Sequence, residues 1–255
     1  MRVLMVGDVI GRPGRRAVKH LLPDLRQEYQ IDLVIANGEN TAGGFGLTMP
    51  TAQELFAAGV DVLTSGNHIW DQKEIVPFLD TDVPILRPLN YPPGVPGRGF
   101  LIRERALIIN AMGRTFMAPL ECPFRTIDRL LAELPERPPV IIVDFHAEAS
   151  SEKVAMGWHL DGRVSAVVGT HTHVPTCDAK ILAKGTAHVT DVGMTGPRDS
   201  IIGDDPGAVL KRFLAQTPGR LPVAEGPVIF SSVLIDVDED SGRARSIRRI
   251  DREVE

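Results

Sequence analysis

His171 and His173 stand in the run Val168-Gly-Thr-His-Thr-His-Val174, just beyond an apolar, strand-like segment at 166–168. Side chains two apart on an extended backbone project to the same side, so both imidazoles can reach one metal centre. Asp8, Glu39, Asn40, Asn67, His68 and His146 each follow an apolar run of their own. Taken singly, each has an ordinary reading. Asp8, ahead of Gly11-Arg-Pro-Gly14, suits a turn or a cap; Asn40 and Asn67, in glycine-rich turns, suit left-handed positions; His146 suits a hydrogen-bonded interior residue. Five such segments at five strand ends point instead to one shared metal site.

The elements that must position these residues are legible in the apolar pattern. Strands are expected at 3–6, 33–36, 60–63, 140–145 and 166–168, with a helix over about 14–29 carrying Val18, Leu21, Leu22 and Leu25 at helical spacing. Thr48 followed by Pro50 reads as the start of a second helix reaching about Gly59, and Asp71 as either the cap of a short helix through Leu79 or a support for His68. Strands separated by helices imply parallel βαβ units with the functional loops beyond the carboxyl ends of the strands. Residues 80–98 hold five of the twenty prolines and read as an irregular crossing loop. Beyond residue 100, strands at 100–102, 106–110, 181–183, 187–190, 228–237 and 245–250 with few helices between them suggest a mixed or antiparallel second sheet.

The composition belongs to an ordinary globular α/β chain: 255 residues, 43% hydrophobic and 24% charged, a length that suits one domain over 1–255. The 28 basic and 33 acidic residues are well mixed, with a net charge of −5, so no basic face tracks a long nucleic acid. Arg243, Arg245, Arg248 and Arg249 alternate as on a surface strand and read as solvated. The first residues form a short strand rather than a leader or a membrane span, and Cys122 and Cys177 carry no paired spacing, so a cytoplasmic location is expected. A homo-oligomer is compatible with this composition.

In chain order the polar loop motifs are Gly7-Asp8, Gly38-Glu39-Asn40, Gly66-Asn67-His68, Phe145-His146 and Gly169-Thr-His171-Thr-His173. The series resembles the metallophosphoesterase (calcineurin-like phosphoesterase) superfamily, whose pattern runs Asp-x-His, Gly-Asp, Gly-Asn-His-Asp/Glu, a later His and Gly-His-x-His. Ile10 stands where the first histidine is usual, and Glu39 where a bridging aspartate is usual. With Asn-Gly-Glu-Asn at 37–40, Ser-Gly-Asn-His-Ile-Trp-Asp at 65–71 and Thr-Asp-Val-Gly-Met-Thr-Gly at 190–196, these departures resemble the YmdB-like branch over essentially the whole chain.

That resemblance implies a four-layer α/β/β/α sandwich of two mixed sheets flanked by helices. It also implies two metal ions bridged by Glu39, with Asp8, Asn40 and His173 on one and Asn67, His146 and His171 on the other. Mixed nitrogen and oxygen donors suit iron or manganese, and zinc also fits. The implied reaction is hydrolysis of a small phosphodiester, a 2′,3′- or 3′,5′-cyclic nucleotide, by hydroxide generated on the metals at neutral pH, with His68 as proton donor. Two other readings compete: a phosphomonoesterase or nucleotidase, for which Arg12, Arg15 and Arg198 are the obvious cationic contacts near the motifs, and a regulatory module that binds a nucleotide without turnover. Residues 41–46 read as a flexible rim loop, and His20, His159 and His188 as surface or packing residues.

Overall fold

Strand and helix alternate along the chain in β1 (Arg2–Val6), β2 (Asp8–Val9), α1 (Gly11–Glu28), β3 (Leu33–Asn37), α2 (Met49–Ala57), β4 (Val62–Thr64) and α3 (Val76–Leu79). The second half continues with β5 (Phe100–Arg103), β6 (Ala106–Met112), α4 (Pro123–Glu133), β7 (Val140–His146), α5 (Ser150–Leu160), β8 (Ala166–Thr170), β9 (Lys180–Ile181), β10 (Ala187–Val189) and β11 (Met194–Pro197). It closes with α6 (Pro206–Ala215), β12 (Val228–Phe230), β13 (Ser232–Val237), β14 (Ala244–Arg249) and β15 (Arg252–Val254). The computed structural model describes residues 1–134, 136–219 and 221–254.

Two large sheets carry the architecture. One has the order β14-β13-β1-β3-β4, the other β5-β6-β7-β8-β10-β9. In the first, β1, β3 and β4 run parallel while β13 and β14 join them antiparallel; in the second, β6, β7, β8 and β10 run parallel and the edge strands β5 and β9 antiparallel. Val3, Met5 and Ile35 of the first sheet share a core with Ile108, Ile142 and Val168 of the second. The outer face of the first sheet packs on α1 and α2 through Val18, Leu22 and Leu55, and that of the second on α4 and α5 through Ile127, Leu131 and Met156. The result is four layers, α/β/β/α. Central strands buried on both faces explain the unbroken apolar runs that replace alternation in β1, β3 and β7.

Several expectations need correction. A third sheet, of order β15-β12-β11-β2, joins the first strand pair to the chain's end. The expected strand 228–237 is broken at Ser231, where the chain passes from the third sheet to the first. Among the described residues the second half holds three helices, α4, α5 and α6, for which the sequence reading set no bounds. Two of them, α4 and α5, follow Cys122 and Ala149 with no side-chain cap, though Pro123 stands in the first turn of α4. By contrast Thr48 caps α2 in a reciprocal box with Thr51, and Pro50 sits in its first turn. Helix α1 starts at Gly11, ahead of the expected residue 14. Asp71 caps nothing: Gln72 precedes the short helical turn at Lys73–Ile75 and makes no side-chain cap bond. Arg249 is not merely solvated, because its guanidinium donates to the Val192 carbonyl at 2.6 Å and pairs with Asp251.

Candidate metal centre

Parallel register sets the site. His146 closes β7 opposite Thr170 at the end of β8, and Asn37 closes β3 opposite Thr64 of β4. Asp8, Glu39, Asn40 and His146 are all buried, with Asp8 and His146 fully inaccessible. His146 Nε2 lies 3.0 Å from Asn67 Oδ1, 3.0 Å from Glu39 Oε1 and 3.0 Å from His171 Nδ1. Ligand atoms of Glu39, His146 and His171 all fall within 4.8 Å of one another. Beside them, His173 Nε2 lies 3.2 Å from the Asn40 amide and 3.8 Å from Asp8 Oδ1. The structure thus brings all seven expected ligand residues into two adjoining groups.

His171 and His173 arrive by a different route from the one expected. Their backbones are not extended but left-handed, at φ 100° and 64°. Positive φ at non-glycine residues costs about 1–3 kcal/mol and persists only where surroundings enforce it. Here the enforcement comes from Asp191, whose carboxylate accepts from Thr172 N at 3.1 Å, Thr172 Oγ1 at 2.7 Å and Gly193 N at 2.7 Å. Buried Lys153 of α5 pairs with the same carboxylate at 2.5 Å. Gly193 O in turn accepts from Asp8 N at 3.1 Å, and a Cβ on Gly7 would lie 1.8 Å from that oxygen. Residues 190–196 therefore strap the first motif to the last. Lys153→Met, which leaves a buried carboxylate without its cation, should lower unfolding free energy by about 3 kcal/mol in denaturant titration. Unchanged stability would show that Asp191 does not depend on the lysine. Asn40 and Asn67 are not left-handed turn residues, since neither has positive φ.

The proton positions on the three imidazoles decide whether a metal fits. Thr170 Oγ1 donates to Asp144 Oδ1 at 2.7 Å, so at 3.0 Å it must accept from His146 Nδ1. A competing contact from Asn37 Nδ2 to the same nitrogen is longer, at 3.3 Å. His171 Nε2 faces Glu148 Oε2 at 3.0 Å, and His173 Nδ1 donates to the Ile202 carbonyl at 2.7 Å. Each ring is anchored on its outer nitrogen; the inner nitrogens of His146 and His171 face each other at 3.0 Å, and that of His173 faces the Asn40 amide and Asp8. That is the arrangement by which outer partners orient metal-binding histidines. Asp8 Oδ1 and Glu39 Oε1 are buried there with no hydrogen-bond donor. Two ring nitrogens 3.0 Å apart beside two buried carboxylate oxygens need a positive charge among them, a proton or a cation, and these mixed nitrogen and oxygen donors fit metal ions.

The electrostatics show how strongly the site draws positive charge. Burial alone would lower the His146 pKa, but the charge and contact of Glu39, then Asp8, raise it to about 9. Burial alone would raise Glu39, yet His146 and His68 hold it down at about 2. Burial and the neighbouring His146 push His171 down to about 3. Burial raises Asp8 against the pull of His173 and His146. Carboxylates here draw positive charge to the ring nitrogens of His146.

His68 stands apart from this cluster. Its Nδ1 contacts Asp71 Oδ2 at 2.8 Å, its ring packs edge-on against Phe45 at 5.1 Å, and its backbone N donates to Glu39 Oε2 at 3.1 Å. With Ile10, Phe45, Glu148 and the two terminal histidines it lines a cleft of about 240 Å³. Among the described residues no lysine or arginine lines that cleft. Arg15 is held by Glu54 and the Thr41 carbonyl, Arg198 by Asp199 and Glu253, and Arg12 lines a separate groove. His159 pairs with Asp128 and His188 is buried beneath α5, so neither joins the site; His20 lines the groove with Arg12.

Reading the sequence missed Glu148, Thr170, Asp144, Lys153 and the Ile202 carbonyl. Glu148 had a local signal, two residues beyond His146. The others had none. Gly66 is required by approach rather than by backbone angle, because a Cβ there would lie 2.1 Å from His146 Cδ2. Gly66→Ala should displace that ring and cut metal content at least tenfold in elemental analysis; retention of full metal would show that the ring can yield.

Four layers with a carboxylate–imidazole cluster at the strand ends define a metallophosphoesterase-like fold. Within it, this chain belongs to the YmdB-like family, whose model matches residues 4–250. A Bacillus subtilis protein named 2′,3′-cyclic-nucleotide 2′-phosphodiesterase is 51% identical over 98% of this chain and 96% of its own length. A Thermus thermophilus structure, described as that of a hypothetical protein, superposes with a TM-score of 0.93 at 49% identity, covering 99% of both chains. A Mycoplasma pneumoniae structure described as a novel phosphatase gives 0.93 at 34% identity, covering 99% of this chain and 93% of its own. No helix among the described residues is long and apolar enough to cross a membrane.

Proposed function

We propose that this chain is a metal-dependent phosphodiesterase that hydrolyses small phosphodiesters, with 2′,3′-cyclic nucleotides as its substrate class. One observation carries the reading: a cluster of imidazole and carboxylate donors opens beside His68 into a cleft that, among the described residues, no lysine or arginine lines. A monoester dianion calls for extra cationic contacts; a monoanionic diester does not. The name of the Bacillus subtilis relative supports the same class.

Glu39 would bridge two ions, with Asp8, Asn40 and His173 on one side and Asn67, His146 and His171 on the other. The mixed donor set suits iron or manganese, with zinc as a further fit. Bound there, two metals supply charge neutralisation for an in-line displacement at phosphorus and acidify water to near neutrality. The chain's own part is positional and acid–base. Asp71 fixes His68 through Nδ1, which leaves Nε2 to pass its proton to the departing ribose oxygen as the P–O bond breaks. The free cysteines, Cys122 and Cys177, suit a reducing cytoplasm.

Elemental analysis of the purified protein, paired with initial rates on 2′,3′-cyclic AMP, 3′,5′-cyclic AMP and adenosine 3′-monophosphate, tests this. The expected result is metal near two ions per chain and fastest turnover of the 2′,3′-cyclic diester. Preferred hydrolysis of the monoester would overturn the substrate class, and metal binding without turnover of any ester would favour a regulatory module.

A further inference from the structure

The catalytic cleft is small for a nucleotide. Small-molecule sites usually measure about 300–1,000 Å³, against about 240 Å³ here. A second cavity of about 550 Å³ adjoins it, and Ile202 and Asp204 line both. Its far wall is one face of α6, where Val209, Arg212, Phe213 and Gln216 recur at helical spacing, and Leu221 completes the apolar lining. Phe213 is 68% exposed and Ile202 51% exposed.

Ile202 sits at the junction under constraint. Its backbone is left-handed, at φ 50°, which a β-branched residue adopts only under compulsion. Its carbonyl is the acceptor that anchors His173. The same strained residue therefore fixes a ring of the metal cluster and holds an apolar side chain out at the mouth of the second cavity. Strain of this kind concentrates at functional sites.

We propose that this second cavity is the nucleobase subsite, with Ile202 and Phe213 as the apolar platform against which the base of a cyclic nucleotide packs while its phosphodiester lies beside His68. The inference rests on the phosphodiesterase reading and adds where the specificity for a nucleoside resides. Planar bases pack well on aromatic and aliphatic side chains and tolerate polar groups at their edges, here Arg212, Gln216 and Thr217.

The test compares kcat/KM for 2′,3′-cyclic AMP with that for glycerol 1,2-cyclic phosphate, a five-membered cyclic diester without a base. The variants are Phe213→Ala and Phe213→Ser, the latter removing the ring and making that part of the platform polar, at a position outside the catalytic cleft. The preference for the nucleotide should fall about tenfold in each, through a higher KM rather than a lower kcat. Equilibrium dialysis with adenosine 3′-monophosphate reads the cavity without turnover and should show weaker binding in both variants. Equal preference and equal binding in wild type and variants would overturn the subsite. So would a change in sedimentation of Phe213→Ala with nucleotide preference intact, which would make this face a contact between copies. Failure of wild type to cleave either diester would instead strike the phosphodiesterase reading, and the dialysis result would still decide the cavity.

Discussion

His68→Ala should lower turnover of a 2′,3′-cyclic nucleotide by about 10²–10⁴-fold, the usual contribution of general acid catalysis, while the protein keeps its metal. The two halves of that expectation come from different observations. His68 turns its ring toward Asp71 and Phe45, away from the lone pairs of His146, His171 and His173, so removing the ring removes no metal donor. Its backbone N donates to Glu39 Oε2, and alanine preserves that bond. The loss should shrink on bis(4-nitrophenyl) phosphate, because nitrophenolate leaves without needing a proton. An equal loss on both esters, or departure of metal from the variant, would assign His68 another role.

Glu39→Gln should deplete the protein of metal and lower activity by more than about 100-fold, since even partners one bond removed from a metal typically contribute 10–100-fold. Glutamine keeps the size and the oxygen facing the His68 amide. It removes the negative charge that balances His146 and puts an NH₂ group, which cannot ligate a metal, where Oε1 stands beside His146. Metal content and initial rate measured on the same preparation, with and without added manganese, check this. Full occupancy together with full turnover would remove Glu39 from the bridging position.

Which residues the fold gathers into one cluster was legible in the sequence, and the reason is geometric. A strand buried on both faces must be an apolar run, so its end is marked by the first polar residue, and in a parallel sheet those ends share one rim. Asp8, Asn67, His146 and the His171–His173 pair stand just beyond such ends and were singled out by that position together with their motif spacing, and Thr48 followed by Pro50 marked the start of α2. The helices α4 and α5 escaped because neither start has a side-chain cap, although Pro123 in the first turn of α4 was a signal that went unread, and the third sheet escaped because β2 and β12 are too short to show a period. Tertiary structure alone decided how the donors are aimed. The left-handed turns at His171 and His173 are held by Asp191 and Lys153, and the protons of the three rings are fixed by Thr170, Glu148 and the Ile202 carbonyl. Propensity and periodicity act over a few residues. A hydrogen-bond partner such as Ile202, 29 positions beyond His173, is set by proximity in space, which only the packed sheets determine.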